Sequence, residues 1–485
     1  MASTRRIVVI GAGPGGLCMG AKLREAGFDD FVILEQADGV GGTWRHNSYP
    51  GAACDIPSHL YSFSFERKND WSRAYATQPE ILDYFEQFAT KYGLEPHLRL
   101  GSGARRVVWS DADARWTLST DADTYEADVV VSAVGMFNEV NWPDIPGLDT
   151  FGGTLFHSAR WDHDHDLRGE SVAVIGSGAS AIQFVPAIAP EVGRLYHFQR
   201  QPQWVAPKLD PPFSEEDIAR FCADPSATEA LRTEIYDRVD KAQTFADRDL
   251  LRLSEEAGLQ NLALVEDPET RRRLMPTAPF GCHRPLISND YYPTFNLPHV
   301  EAITDPVEKV TSDAVVTADG KERRADTIIV ATGFATTKYL SVIDVIGRDG
   351  QRLDEAWSTG AQAYLGITTT GFPNLFMLYG PNTNNGSILF MIECQVAHVL
   401  RQLERMDAEG LAALEVRADA MDRYNRDLQR DLDGVEVWQT GCHGYYRVPS
   451  GRIVTQWPHS MTEYAVRTSR PDADAYETRA RRSHG

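Results

Sequence analysis

Short apolar runs that stop at glycine alternate along this chain with stretches whose apolar residues recur every three or four positions, the pattern of buried strands between amphipathic helices. Ile7 to Ile10, Phe31 to Leu34, 129–131, 172–175 and 327–331 are almost wholly apolar, as strands covered on both faces of a parallel sheet are. Segment 79–92 is amphipathic. Ile388, Ile392, Val396, Val399 and Leu403 recur at spacings of four, four, three and four, which predicts one buried helix face. Segments 105–109 and 115–119 are β-like, and Asn374 to Leu378 predicts a buried strand that runs into Gly380-Pro381-Asn382. A charged block over 214–273, polar on one face with recurring Leu, Ile and Ala, reads as a helical insertion. The Pro/Gly-rich connector Asn141-Trp142-Pro143-Asp144-Ile145-Pro146-Gly147 marks a boundary. Two strand-then-glycine endings, 129–135 and 327–333, each close one unit, so chain order places a second α/β unit inside the first.

Each unit opens with a glycine-rich turn. The first is Ile10-Gly11-Ala12-Gly13-Pro14-Gly15-Gly16, a GxGxxG between a strand and a helix-like segment. Gly11 makes the turn, Gly13 lets a pyrophosphate approach the backbone, and Gly16 lets helix and strand pack closely. The next strand delivers Glu35, whose carboxylate suits ribose hydroxyls and repels a 2′-phosphate, so this site reads as one for FAD or NAD. The second turn, Gly176-Ser177-Gly178-Ala179-Ser180-Ala181, carries Ala181 at the third position, and its following strand runs into Arg200 and Gln201. Arginine there suits a ribose that bears an extra phosphate, so the second site reads as one for NADPH. The expected fold is α/β with two Rossmann-like dinucleotide-binding domains, the NADP domain inserted into the first, FAD- or NAD-binding, domain, and a helical subdomain. The expected bounds are 1–145 for the first part of that FAD- or NAD-binding domain, 146–330 for the NADP domain with a helical insertion at about 212–275, and 331–485 for the rest.

At 485 residues the chain exceeds one typical core, and 42% hydrophobic content is enough to fill several. A net charge of −21 argues against nucleic acid and anionic membrane as partners, so two anionic cofactors depend on local cations and backbone amides. No apolar run approaches membrane-spanning length, and only Met1 to Thr4 precede the basic pair before the first strand, which leaves no room for a secretory signal and predicts a cytoplasmic protein. Cysteines 18, 54, 222, 282, 394 and 442 form no C-x-x-C pair. That spacing counts against a dithiol flavin reductase and predicts six reduced thiols.

The connector leads into Phe151-Gly152-Gly153-Thr154-Leu155-Phe156-His157-Ser158-Ala159-Arg160-Trp161-Asp162, and here the chain resembles the Baeyer-Villiger monooxygenases of the class B flavoprotein group. Phe151, Gly153, His157, Trp161 and Asp162 match that family's F-x-G-x-x-x-H-x-x-x-W-[P/D] fingerprint. Gly41-Gly42-Thr43-Trp44 through Tyr49-Pro50-Gly51 to Asp55, and Ala331-Thr332-Gly333, match further family segments in order. The resemblance implies FAD and NADPH as cofactors. It further implies that NADPH reduces FAD, that oxygen adds to give a C4a-peroxyflavin, and that this species attacks a ketone to yield an ester or lactone. An arginine beside the flavin suits such a reaction, because it stays protonated and presents fixed donors where negative charge develops. By the resemblance that residue is Arg284 in Gly281-Cys282-His283-Arg284-Pro285, with Asp55 as the carboxylate that orients it. The resemblance also assigns cofactor contacts to Gly42, Thr43, Trp44 and His283.

Three positions depart from the family pattern. His283 stands where a lysine is common, Gln201 where Thr or Ser is frequent, and Cys442-His443-Gly444-Tyr445-Tyr446 resembles a C-x-S-W-Y segment with tyrosine for tryptophan. A largely neutral histidine weakens any grip on the NADPH phosphate. His157 reads as an anchor of the interdomain connector rather than a proton carrier. The run Asp162-His163-Asp164-His165-Asp166 looks like a metal cluster but reads as a solvated loop, so no metal is expected. Trp44 has two readings, packing near the flavin or ordinary core. The substrate pocket is expected near Leu286, the 382–390 loop including Leu389, and 438–446 including Tyr445, and its apolar share predicts a hydrophobic ketone. Small-molecule ketone and O2 are then the partners of a monomer or small homo-oligomer. The rival readings are a flavin monooxygenase that oxygenates nitrogen or sulfur nucleophiles, a pyridine-nucleotide disulfide reductase, and a non-enzymatic nucleotide sensor. The pair Trp161-Asp162 favours the ketone class, and intact glycines with Arg284 present count against the sensor.

Overall fold

The computed structural model describes residues 5–439, 442 and 446–481. Strand β1 (Ile7–Ile10) enters helix α1 (Pro14–Glu25), and β2 (Phe31–Leu34), β3 (Leu98–Arg99) and β4 (Val129–Ser132) complete the first pass. The chain then builds a second sheet from β5 (Thr154–His157), β6 (Ser171–Ile175), β7 (Arg194–Phe198), β8 (Val300–Ile303) and β9 (Thr327–Val330), with helix α2 (Ala179–Ile188) following β6. It returns as β10 (Leu375–Met377), which pairs with β4. The first sheet has the order β10-β4-β1-β2-β3 and the second β8-β7-β6-β9-β5, every pairing parallel. The NADP-type unit is thus inserted between strands of the FAD-type unit, as the repeated strand-glycine endings predict.

Side-chain alternation explains why these strands are apolar throughout. Ile7 and Val9 point into one core with α1, whereas Val8 and Ile10 point into another, beneath an added sheet that contains Arg106–Ser110, Arg115–Ser119 and Thr124–Ala127. In the second sheet Val172 and Val174 face one core, and Ala173 and Ile175 the other. Both faces of both sheets are buried, which leaves no place for a polar period.

Between β7 and β8 lie five helices: α3 (Glu215–Ala223), α4 (Pro225–Ala242), α5 (Arg248–Leu262), α6 (Pro268–Arg273) and a short one at Tyr291–Thr294. Each of α3 to α6 is started by a side-chain cap, from Ser214, Asp224, Asp247 and Asp267 in turn. Helix α4 packs Ile235 and Val239 into the first unit's core, and the buried Arg232 donates to the carbonyl of His59 at 2.7 Å. Helix α7 (Ile388–Ala408) buries Ile392, Val396, Val399 and Leu403 as the spacing predicts, together with Gln395, His398 and Gln402, which no apolar period signals. Among the described residues no helix is long and apolar enough to cross a membrane.

Candidate active site between the two nucleotide loops

The carboxyl ends of β1 and β6 open onto one cavity of about 1070 Å³, lined by both glycine turns. That volume is at the top of the ~300–1,000 Å³ usual for a single small-molecule site, so there is room for more than one bound molecule. Helices α1 and α2 begin at this cavity with Gly13 and Gly178 as N-caps, without a side-chain cap and without an acidic residue in the first turn. The contrast with the capped insertion helices is physical: the first N–H groups of α1 and α2 are left for an external anion. A Cβ on Gly16 would lie 1.8 Å from the Gly11 carbonyl oxygen, so only glycine lets α1 start this close to its strand. At Gly178 a Cβ would meet nothing within 4 Å, so the bare backbone of the second turn faces open space. Ala181, like Gly16, lies behind its turn and is fully buried.

Glu35 is buried at the end of β2 and lines the cavity, with one carboxylate oxygen accepting from the Ala12 amide at 2.7 Å and the other from the Ala37 amide at 2.8 Å. A carboxylate has about four acceptor positions, so two remain for ribose hydroxyls. In the second unit Arg200 is exposed and lines the cavity next to Gln201, whose carbonyl accepts from Ser177 Oγ at 3.2 Å. Beneath this turn the fully buried His197 donates Nε2–H to the Gly176 carbonyl at 2.9 Å, and burial draws its pKa down to about 4. His197 is therefore a neutral support, and the cationic group at this end of the cavity is Arg200. These features fit a dinucleotide without a 2′-phosphate on the first turn and one with it on the second.

Arg284 and Asp55 meet across 229 positions of chain. The guanidinium Nε donates to one Asp55 carboxylate oxygen at 2.8 Å, an Nη lies 2.8 Å from the same oxygen in an ion pair, and both side chains are about one-third exposed to the cavity. His283 lines the same wall, and burial lowers its pKa below the usual histidine value. It is therefore neutral near pH 7, as its substitution for lysine predicts. Gly42, Thr43 and Trp44 also line the cavity, and Trp44 donates Nε1–H to Tyr61 Oη at 2.9 Å. Of the two readings for Trp44, the cavity wall is the one adopted.

The fingerprint residues lie outside the cavity, at the join of the units. His157 ends β5, is buried, accepts from the Ala159 amide at 3.1 Å, and faces Trp142 and Phe334 edge-on. Burial draws its pKa down to about 4, which suits an anchor rather than a proton carrier. Phe151 packs on the second unit's core, and a Cβ on Gly153 would lie 2.2 Å from the Asp326 carbonyl oxygen. Trp161 packs edge-on against Phe156 and Phe184, and Asp162 is exposed and accepts from the Asp164 amide. The following histidines and aspartates spread over separate partners: His163 bonds Ser48, His165 bonds Glu170 and Thr327, and Asp166 pairs with Arg168.

Three expectations are corrected. Leu389 is fully buried in the first unit's core and does not line the cavity, because the first turn of α7 presents Ile388 there instead. Trp438 is likewise a core residue, packed on Phe245 and Tyr446. The six thiols are not all reduced: Cys282 and Cys442 form a disulfide, which C-x-x-C counting misses because 160 positions separate them. Leu286 does line the cavity, and Tyr445 falls outside the described residues.

Gln183 is the functional candidate that sequence reasoning passes over. It projects from α2, one turn past the second nucleotide turn, accepts from Tyr49 Oη at 3.0 Å, and donates to the Ala53 carbonyl at 3.0 Å. The loop it grips carries Asp55. A lone amide in the otherwise apolar run Ala181-Ile182-Gln183-Phe184-Val185 is the signal that could have found it.

Two dinucleotide-binding units, one inserted in the other, with one cavity and an arginine–carboxylate pair between their turns define a two-nucleotide oxidoreductase. Residues 8–214 match the family model described as pyridine nucleotide-disulphide oxidoreductase. A "Baeyer-Villiger monooxygenase" of Streptomyces coelicolor is 44% identical, with 97% of this chain and 92% of that protein covered. Among solved structures, cyclohexanone monooxygenase from Rhodococcus sp. Phi1 bound to NADP+ superposes with a TM-score of 0.89 at 31% identity, covering 99% of this chain and 100% of that one. An OTEMO complex with FAD and NADP gives 0.86 at 27% identity, covering 99% and 100%. The chain belongs to the Baeyer-Villiger monooxygenase family, and it is a flavoprotein monooxygenase rather than a disulfide reductase.

Proposed function

We propose that this protein binds FAD at the Gly11–Gly16 turn and NADPH at the Gly176–Ala181 turn, and converts a hydrophobic ketone to an ester or lactone with consumption of O2. The observation that carries this reading is the Arg284–Asp55 pair, held in a cavity that both nucleotide turns also line. Bound FAD, once reduced by hydride from NADPH, supplies the activation of dioxygen for attack on a carbonyl carbon.

The chain's own residues bind, orient and stabilise. The free N–H groups of α1 and Glu35 hold a pyrophosphate and its ribose, while those of α2, with Arg200 and Gln201, hold the phosphorylated nucleotide. Asp55 accepts from Arg284 Nε and holds Nη2 at 2.8 Å from the same oxygen, which fixes the guanidinium at the cavity wall, where its charge stabilises the negative charge that develops during attack on the ketone. Arginine suits this place because it keeps its proton throughout and acts as a fixed electrostatic donor. Leu286, Ile388, Ile392 and the Trp44–Tyr61 pair form apolar wall, which accepts a hydrophobic substrate and limits water.

The test is product analysis under isotopically labelled dioxygen with cyclohexanone and phenylacetone as probes. One labelled oxygen per ester or lactone, formed at the expense of NADPH, is expected. NADPH oxidation that yields only hydrogen peroxide with every ketone, or labelled amine or sulfur oxides alone, overturns the ketone reading.

A further inference from the structure

We infer that the Cys282–Cys442 pair is a reversible thiol–disulfide staple that positions Arg284, a role that rests on the site reading above. Cys282 is two residues ahead of Arg284 and one ahead of His283, and both of those line the cavity. Cys282 is fully buried and Cys442 nearly so, and the bond joins the 278–285 turn to the C-terminal part of the chain. Among the described residues, 436–439 adds a hydrogen bond and, through Phe245, an aromatic contact to the same turn. Trp438 Nε1 donates to the Gly281 carbonyl at 3.1 Å, and Phe245 sits between Gly281 and Trp438. On its other side the wall is fixed by backbone: the Leu286 amide donates to the Trp204 carbonyl at 3.0 Å. His283 and Arg284 therefore lie between a backbone-paired strand and a disulfide, and opening the bond removes the covalent anchor two residues ahead of Arg284.

The chemistry balances with a hydroperoxide as oxidant. The thiolate of one cysteine attacks the peroxide oxygen to give a sulfenic acid and water, and the second thiol displaces a further water to form the sulfur–sulfur bond. Two thiols and one hydrogen peroxide become one disulfide and two waters. Reduction by a dithiol reverses the step by exchange. Neither sulfur belongs to a C-x-x-C unit and neither lines the cavity, so the pair acts on the position of Arg284 and not as an electron relay to a flavin.

The flavin-loaded enzyme is first treated with hydrogen peroxide, then denatured and its thiols titrated, with peptide mapping under non-reducing conditions. Four thiols are expected, Cys18, Cys54, Cys222 and Cys394, with a peptide pair that joins Cys282 to Cys442. Dithiothreitol should raise the titre to the six of the sequence and speed hydrogen exchange in the peptide that spans 278–287. In parallel, ester formed per NADPH from cyclohexanone should fall on reduction and recover on reoxidation, within the up to ~100-fold that an ångström-scale misplacement costs. Cys442→Ser should behave as the permanently reduced form and ignore peroxide. Six titratable thiols after peroxide, or tightly held zinc lost in Cys442→Ser, would overturn the disulfide itself. An intact disulfide whose reduction leaves exchange at 278–287 and coupling unchanged would overturn the positioning role. Failure of every probe to give ester, with the exchange change present, would instead count against the ketone reading and leave the staple standing.

Discussion

At the residue scale the site depends on which side chains keep their charge. Arg284 donates to Asp55 and pairs with it, so Arg284→Ala should still bind FAD and accept hydride but lose ketone oxygenation by roughly 10²–10³-fold, the usual cost of removing one preorganised donor. Ester formation near the wild-type rate in that variant would remove Arg284 from the reaction. Burial lowers the pKa of His283, so on the proposed function Arg200 is the cation offered to the phosphate at the second turn. His283→Lys should therefore raise the preference for NADPH over NADH, read as the ratio of kcat/KM for the two, and an unchanged ratio would mean that position does not meet the phosphate. Both residues were legible in the sequence because they sit in a contiguous motif. Leu389 was not placed correctly, since a one-position error on a helix turns a side chain by about 100°, enough to exchange cavity wall for core.

At the element scale the alternation of strands and helices was legible because parallel strands buried on both faces leave continuous apolar runs. What hydrophobic periodicity could not report is polar burial. Helix α7 keeps Gln395, His398 and Gln402 inside because each has a partner: Gln395 Oε1 accepts from the Tyr379 amide at 2.7 Å, His398 Nε2 lies 3.0 Å from Tyr476 Oη, and Gln402 donates to Asp472 at 3.0 Å. Gln183 on α2 is the same kind of residue with a consequence for the reaction, because it ties the helix of the second nucleotide turn to the loop of Asp55. Gln183→Ala removes these two bonds, each worth about 1 kcal/mol, and the longer one that its Oε1 accepts from the Ala53 amide at 3.4 Å. The expected result is retained FAD with a kcat reduced several-fold and a smaller change in KM for NADPH; unchanged kcat with a raised KM alone would assign Gln183 to nucleotide binding only.

At the scale of the whole molecule the inserted topology places two turns, far apart in sequence, on one cavity, and this followed from the repeated strand-glycine endings. The disulfide did not, since the approach of Cys282 to Cys442 is set by the packing of an insertion-domain turn against the C-terminal segment. Acid stability is also a property of the whole fold. His59, His157 and His197 are buried with pKa values drawn down to about 4 from 6.5, so below pH 6.5 the unfolded chain gains protons that the folded chain refuses. Unfolding free energy should be fully present above pH 6.5 and fall progressively to about pH 4, by on the order of 2–3 kcal/mol for each histidine. Glu393 and Glu415, whose pKa values burial raises, oppose this above their usual 4.5 but are outnumbered. Urea midpoints measured at intervals between pH 7 and 4 check the sign, and a midpoint that rises on acidification would contradict it.

On the proposed function, one cavity joins NADPH, flavin and dioxygen for transfer of oxygen to a ketone, with Arg284 stabilising the charge that develops. The most direct test is stopped-flow spectroscopy of the flavin-loaded enzyme, reduced anaerobically with NADPH and then mixed with oxygen in the absence of ketone. The expected result is an absorbing species distinct from reduced and oxidised flavin that persists, decays faster when a ketone is added, and is lost or short-lived in Arg284→Ala. Direct return to oxidised flavin with release of hydrogen peroxide, alike in wild type and variant, would contradict it.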